Sequence, residues 1–148
     1  MKKQLVLSIF LAANSGFPVH ASDPAESSKE HLMTIKMAIA QQTFAVELAD
    51  NPTAKAFIQQ LPLTMTMGEL NGNEKFADLS QSLSPHQIRP GTLHEGDLML
   101  YGRQTLVLFY ETFQTSYSYT PIGKLIATDN LKSSVGNGDV KVHFTKGN

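Results

Sequence analysis

The chain has 148 residues, 41% of them hydrophobic, with twelve Lys and Arg against thirteen Asp and Glu and a formal net charge of −1. That length suits one domain, and the complete lack of cysteine excludes disulfides and thiol chemistry. A near-neutral, unclustered charge argues against nucleic acid, whose binding needs a basic face, and leaves no polybasic patch for anionic lipid.

Residues 1–21 carry the marks of a secretory signal. Lys2 and Lys3 form a positive start, Leu5 to Ala13 is apolar except for Ser8, and Pro18-Val19-His20-Ala21 offers small residues for cleavage after Ala21. The apolar run is shorter than the roughly 20 residues that a membrane span needs, so export without a membrane anchor is expected, with a periplasm as the destination. Cleavage leaves ten basic against thirteen acidic residues, a net charge of −3. Residues 22–31 (SDPAESSKEH) are polar and aperiodic, and are expected to be a flexible linker to a domain over residues 32–146.

Met33, Ile35, Met37 and Ile39 alternate with polar or small residues, as do Phe44, Val46 and Leu48 after Gln41-Gln42; this spacing predicts a hairpin. Asn51 and Pro52 are suited to the cap and first turn of a helix running to about Gln60, with Ala54, Phe57, Ile58 and Leu61 on its buried side. Leu63, Met65 and Met67 predict a third strand, with methionine as core filler. The Asn71-Gly72 pair then predicts a tight turn into a fourth strand through Phe76 to Leu79. Ser80 to Gly96, with Pro85 and Pro90, reads as a long irregular connection. Leu98–Tyr101 and Leu106–Tyr110 flank a Gly-Arg-Gln-Thr turn and predict a second hairpin. A polar loop bearing Phe113, Tyr117 and Tyr119 leads to a strand at Ile122–Ala127. Thr128-Asp129-Asn130 is expected to cap a short helix ending near Val135 and Gly136, before a last strand through Val140, Val142 and Phe144. Eight short strands and two helices suggest a closed antiparallel β-barrel, since closure removes exposed strand edges.

The segments LPLTMTMGELNGNEKFADL (61–79), GDLMLYG (96–102), LVLFY (106–110), TSYSYT (115–120) and IGKL (122–125) occur in an order and spacing that resembles the small bacterial cyclophilin-like domain proteins. The resemblance covers roughly residues 32–146 and implies a mainly β fold, a closed eight-stranded cyclophilin-like barrel with two short helices. Cyclophilins proper are peptidyl-prolyl isomerases, and the resemblance raises that activity here. It implies an arginine in a Phe-His-Arg motif on the strand corresponding to Asn73–Leu79, which here has Glu74 and Lys75 and no arginine. A glutamine-phenylalanine-phenylalanine motif aligns with Leu106–Tyr110, where only Phe109 and Tyr110 are aromatic. The expected pocket histidine near Tyr119–Ile122 is missing.

A lysine lacks the planar fork of a guanidinium, so Lys75 is a poor replacement at an oriented site. The chain is therefore read as a monomeric binding module for a peptide or small-molecule ligand, with no cofactor. The rival is a prolyl isomerase assisting protein folding, with Lys75, Arg89 or Arg103 as donor.

Phe109, Tyr110, Phe113, Tyr117 and Tyr119 are the main ligand-binding candidates, because aromatic rings offer large apolar faces with polar handles. The alternative is that some simply point into the core, Phe109 above all. Asn73, Glu74 and Lys75 are placed at the rim, against the alternative that Glu74 and Lys75 are solvated strand residues beside a turn. His86, His94, Glu95 and Asp97 are capable metal ligands, but lack short fixed spacing, and no metal is assigned. His143 is expected to face solvent. No nucleophile elbow or phosphate loop is present.

Overall fold

β1 (Thr34–Ile39) and β2 (Gln42–Leu48) form the first hairpin, joined at Ala40-Gln41 and paired from Thr34–Glu47 to Ile39–Gln42. The computed structural model describes residues 33–147 together with Gly16. The expected signal (1–21) and linker (22–31) lie outside the described residues, apart from Gly16. Alternation works as the sequence implies: Ile35, Met37, Ile39, Phe44, Val46 and Leu48 are buried, while the intervening side chains face outward.

α1 (Pro52–Ile58) starts at Asn51, whose Oδ1 accepts from Ala54 N at 2.7 Å and satisfies one of the free N–H groups of the first turn. Asn51 also donates from Nδ2 to Pro121 O, tying the helix start to the barrel wall. Ala54, Phe57 and Ile58 are buried, and Phe57 packs edge-on against Phe144 with ring centres 5.7 Å apart. Burial of Phe57 and Ile58 contributes roughly 1.5–3 kcal/mol each.

The remaining wall consists of β3 (Leu63–Leu70), β4 (Glu74–Asp78), β6 (Asp97–Tyr101), β7 (Thr105–Phe109), β9 (Thr120–Leu125) and β10 (Val140–Lys146). They close in the order β1-β10-β3-β4-β7-β6-β9-β2, every pair antiparallel. This is the expected eight-stranded barrel. The β3–β4 turn has positive φ at both Asn71 (55°) and Gly72 (68°), and Asn73 N donates to Leu70 O, which accounts for the Asn-Gly pair. At the β2–β9 contact the backbones approach so closely that a Cβ on Gly123 would lie 2.6 Å from Glu47 O.

α2 (Leu131–Val135) occupies the expected place and ends at Gly136, φ 63°. Its start differs from expectation. Asn130 adopts a left-handed conformation and its side chain makes no capping hydrogen bond. His143 is exposed as expected, bonded to Thr64 Oγ1 through Nδ1.

The sequence reading of eight strands omits two. β5 (Thr92–Leu93) and β8 (Phe113–Gln114) form a separate two-stranded sheet outside the barrel, too short to leave a period. They lie in what read as a long irregular connection and a polar loop. The two segments also meet at Ile88 and Tyr119, which exchange both backbone hydrogen bonds (2.8 and 3.0 Å).

This outer layer explains why β6 and β7 are apolar on both faces. Leu98, Leu100, Leu106 and Leu108 fill the barrel, whereas Met99, Val107 and Phe109 join Leu93 and Tyr119 in a second buried cluster, with Phe113 packed against it. A strand covered on both sides loses its alternation and reads as a continuous apolar run.

Candidate functional site

Where the outer layer parts from the wall, a cavity of about 530 Å³ opens over β4, β6 and β7. That volume lies in the range of small-molecule sites. Its floor comes from the outward residues of three strands: Glu74 and Phe76 of β4, Tyr101 of β6, and Thr105 and Val107 of β7. The chain from Phe113 to Tyr119 forms the opposite bank, and the Asn71–Asn73 turn closes one end.

The aromatic rings form a connected array. Tyr101 meets Tyr117 at 6.4 Å and Tyr119 at 5.8 Å between ring centres; Tyr119 meets Phe109 at 5.5 Å, and Phe109 meets Phe113 at 5.6 Å. All are inclined or edge-on, the arrangements that the ring quadrupole favours. Leu70, Phe76, Tyr101 and Tyr117 account for four of the seven large hydrophobic side chains exposed among the described residues, and all four line this cavity. Tyr101 is 50% and Tyr117 63% exposed. Apolar surface concentrated in a concave patch is characteristic of binding sites.

The sequence-derived candidates divide between two faces. Asn73, Glu74, Phe113, Tyr117 and Tyr119 line the cavity together. Phe109 lies beneath it, fully buried, touching the cavity-lining rings of Phe113 and Tyr119 without lining the space itself. Tyr110 and Lys75 turn the other way, into the barrel. The placement of Lys75 at the rim is therefore corrected: its side chain has no exposure. Its Nζ lies 2.7 Å from Glu69 Oε2 and donates to Gly136 O (2.9 Å) and Gly138 O (2.5 Å). Nor is it a solvated strand residue, the alternative drawn from the sequence. Strand parity is the reason. Lys75 pairs with Leu108, an inward residue of β7, while Glu74 pairs with Phe109 and Phe76 with Val107, both outward.

Charge in the cavity is one-sided. Among the described residues Glu74 is the sole carboxylic acid in its lining, which holds no Lys, Arg or His. Burial holds the Glu74 carboxyl above its usual range, and the nearby charge of Glu69 adds to this. Tyr119 is likewise shifted upward, first by burial and then by the charge of Glu74. Asn73 Oδ1 is buried without a hydrogen-bond partner among the described residues. The two arginines considered as donors, Arg89 and Arg103, are exposed and absent from the lining. Of the metal-capable residues, Asp97 Oδ2 accepts from His94 N, and His86 Nδ1 lies 3.2 Å from Thr53 Oγ1. Among the described residues no group of three or more His, Cys, Asp or Glu is placed to hold a metal.

A model of the Cyclophilin-like family matches residues 37–145. The chain belongs to the cyclophilin-like family. Its barrel is also similar to the solution structure of a hypothetical protein from Archaeoglobus fulgidus, at 14% identity and a TM-score of 0.53, covering 78% of this chain and 95% of that one. At that identity the likeness concerns the fold. None of the curated proteins compared with the chain matches it. The groove on this cyclophilin-like barrel is lined by tyrosines, phenylalanines and one carboxylate.

Tyr101, Leu70 and Phe76 are lining residues that the sequence reading did not single out. The available signal lay in parity: on β4, β6 and β7, Phe76, Tyr101 and Val107 fall on the side opposite the barrel leucines.

Proposed function

We propose that this chain is an exported cyclophilin-like binding module, which takes up a peptide or small organic ligand in the groove outside its barrel. The concentration of exposed aromatic and aliphatic side chains in a single 530 Å³ cavity carries the reading. Export rests on the N-terminal sequence pattern alone. Prolyl isomerisation must lower a barrier of about 18–20 kcal/mol by weakening C–N resonance. The candidate donors do not serve that end: Lys75 is engaged inside the barrel, and Arg89 and Arg103 lie outside the groove lining.

The test is a nuclear magnetic resonance titration of the isotope-labelled exported chain with a panel of short peptides and small aromatic and aliphatic compounds. A binding module gives saturable shifts centred on Tyr101, Tyr117 and Tyr119, lost in a Tyr101→Ala, Tyr117→Ala variant that melts like the parent. Saturable shifts confined to another face would overturn this site. A protease-coupled proline-peptide assay accelerated at micromolar protein would overturn the non-enzymatic reading.

A further inference from the structure

We infer that the groove selects cationic ligands, specifically an organic ammonium group, held by the faces of its aromatic rings and the carboxylate of Glu74. The inference rests on the proposed binding role and names its ligand class. Three observations support it.

First, Phe76, Tyr101, Phe113, Tyr117 and Tyr119 surround the same space as Glu74. Rings inclined to one another, as Tyr101 is to Tyr117 and Tyr119, present faces from several directions. An ammonium over such faces is attracted by the ring quadrupole, by about 0.5–2 kcal/mol depending on desolvation.

Second, among the described residues the only charge in the lining is negative. Among the described residues no ion pair involves Glu74. The acid that lies near it, Glu69, already has its partner in Lys75 on the inner face. A carboxylate half withdrawn from water and left unpaired gains most from an incoming cation.

Third, an anionic ligand meets the opposite situation. It would have to approach Glu74 with no lysine, arginine or histidine among the described residues to receive it. Like charges at short range in a partly dry site disfavour binding strongly.

The source of the ammonium is open to experiment: a free quaternary amine, or a lysine side chain within a peptide. The first arm compares choline with its uncharged carbon isostere, 3,3-dimethylbutan-1-ol. The second compares a short peptide carrying trimethyl-lysine or lysine with the same peptide carrying norleucine. Both are followed by resonance shifts in the exported chain. The expected result is at least tenfold tighter binding of the cationic member in one arm or both. The arm with the tighter cation identifies the source. Glu74→Gln removes most of that preference, and Tyr101→Leu reduces it while keeping the weaker binding of the neutral isostere. A cation preference that persists fully in Glu74→Gln overturns the assignment. Equal or tighter binding of the neutral members does so too, yet leaves the binding module standing. If no cation, neutral isostere or panel compound binds, both readings fall.

Discussion

Lys75 and Glu69 face each other across the β3–β4 hairpin, inside the barrel, with Nζ 2.7 Å from Oε2. The lysine side chain is fully buried and that of Glu69 is 24% exposed. Tyr110 donates its hydroxyl to Glu69 Oε1 and sets its ring 5.6 Å below the ammonium, while the carbonyls of Gly136 and Gly138 take up the remaining Lys75 donors. This network anchors the α2–β10 connection. Because Glu74 and Lys75 are neighbours on one strand, the same backbone segment supplies the groove with its acid and the interior with its base.

Removing one partner of a buried pair strands the other, at a cost of about 3–5 kcal/mol. The two single variants should differ. Glu69→Leu leaves a wholly buried ammonium with only two carbonyls, and is expected at about 3 kcal/mol or more. Lys75→Leu leaves a carboxylate that still reaches water, and is expected to cost less. The double variant Glu69→Leu, Lys75→Leu should be more stable than Glu69→Leu alone, since well-packed apolar replacements of ion pairs are often neutral. Urea unfolding of the four proteins measures the coupling. Additive single effects would mean the pair does not interact.

Glu69 also predicts an acid limb. Burial alone would raise its pKa, but Lys75, Tyr110 and the backbone at Gly72 outweigh this and leave it lowered from 4.5. A carboxyl depressed in the folded state stabilises it fully above the unfolded value, and that contribution disappears as pH falls through the folded value. Stability should therefore decline below about pH 4.5 in the parent and decline less steeply in Glu69→Gln. Parallel acid limbs in the two proteins would remove Glu69 from the account.

The Tyr110 hydroxyl is held far above its usual range, first by burial and then by its bond to Glu69. Tyr110→Phe deletes the donor and keeps the ring over Lys75. Hydrogen bonds to charged acceptors contribute about 1.5–3 kcal/mol, and a loss of that size is expected in denaturant unfolding. Ligand binding in the groove should be unchanged, because Tyr110 faces the barrel interior. A Tyr110→Phe variant as stable as the parent would show that the bond contributes nothing.

Much of the barrel was legible because alternation is a direct record of one buried face. Thr34–Leu48 and Val140–Phe144 have water on one side, and their periods predict the strands correctly. The Asn71-Gly72 turn and the Asn51 cap carry their own local chemistry. The outer layer was not legible. β5 and β8 have two residues each, and their partner segments lie 20 residues apart in sequence. The side to which β4 turns its lysine was misread for a related reason. Glu-Lys-Phe-Ala-Asp fits either parity, and the ordinary choice buries Phe76. The hairpin register could have settled it: pairing about Asn71-Gly72 sets Lys75 opposite Glu69, on the side of Met67 and Met65. Phe76, freed from the core, becomes a wall of the groove. Part of the candidate site was visible as the Tyr117–Tyr119 segment, since aromatics among hydroxyl residues are conspicuous.

Glu74 yields a prediction of the opposite sign to Glu69. Burial raises its pKa above 4.5, with the charge of Glu69 adding to the shift. A carboxyl raised in the folded state is protonated more readily there than in the unfolded chain, so stability falls as pH rises from the unfolded value through the folded one. At neutral pH the ionised Glu74 thus opposes folding. Glu74→Gln should raise the urea midpoint at pH 7, and the advantage should vanish below about pH 4.5, where both proteins carry an uncharged side chain. Sites that bind often retain charges that cost stability. A Glu74→Gln variant less stable than the parent at pH 7 would mean the carboxylate holds the fold together, and its place in the groove would then have a structural explanation.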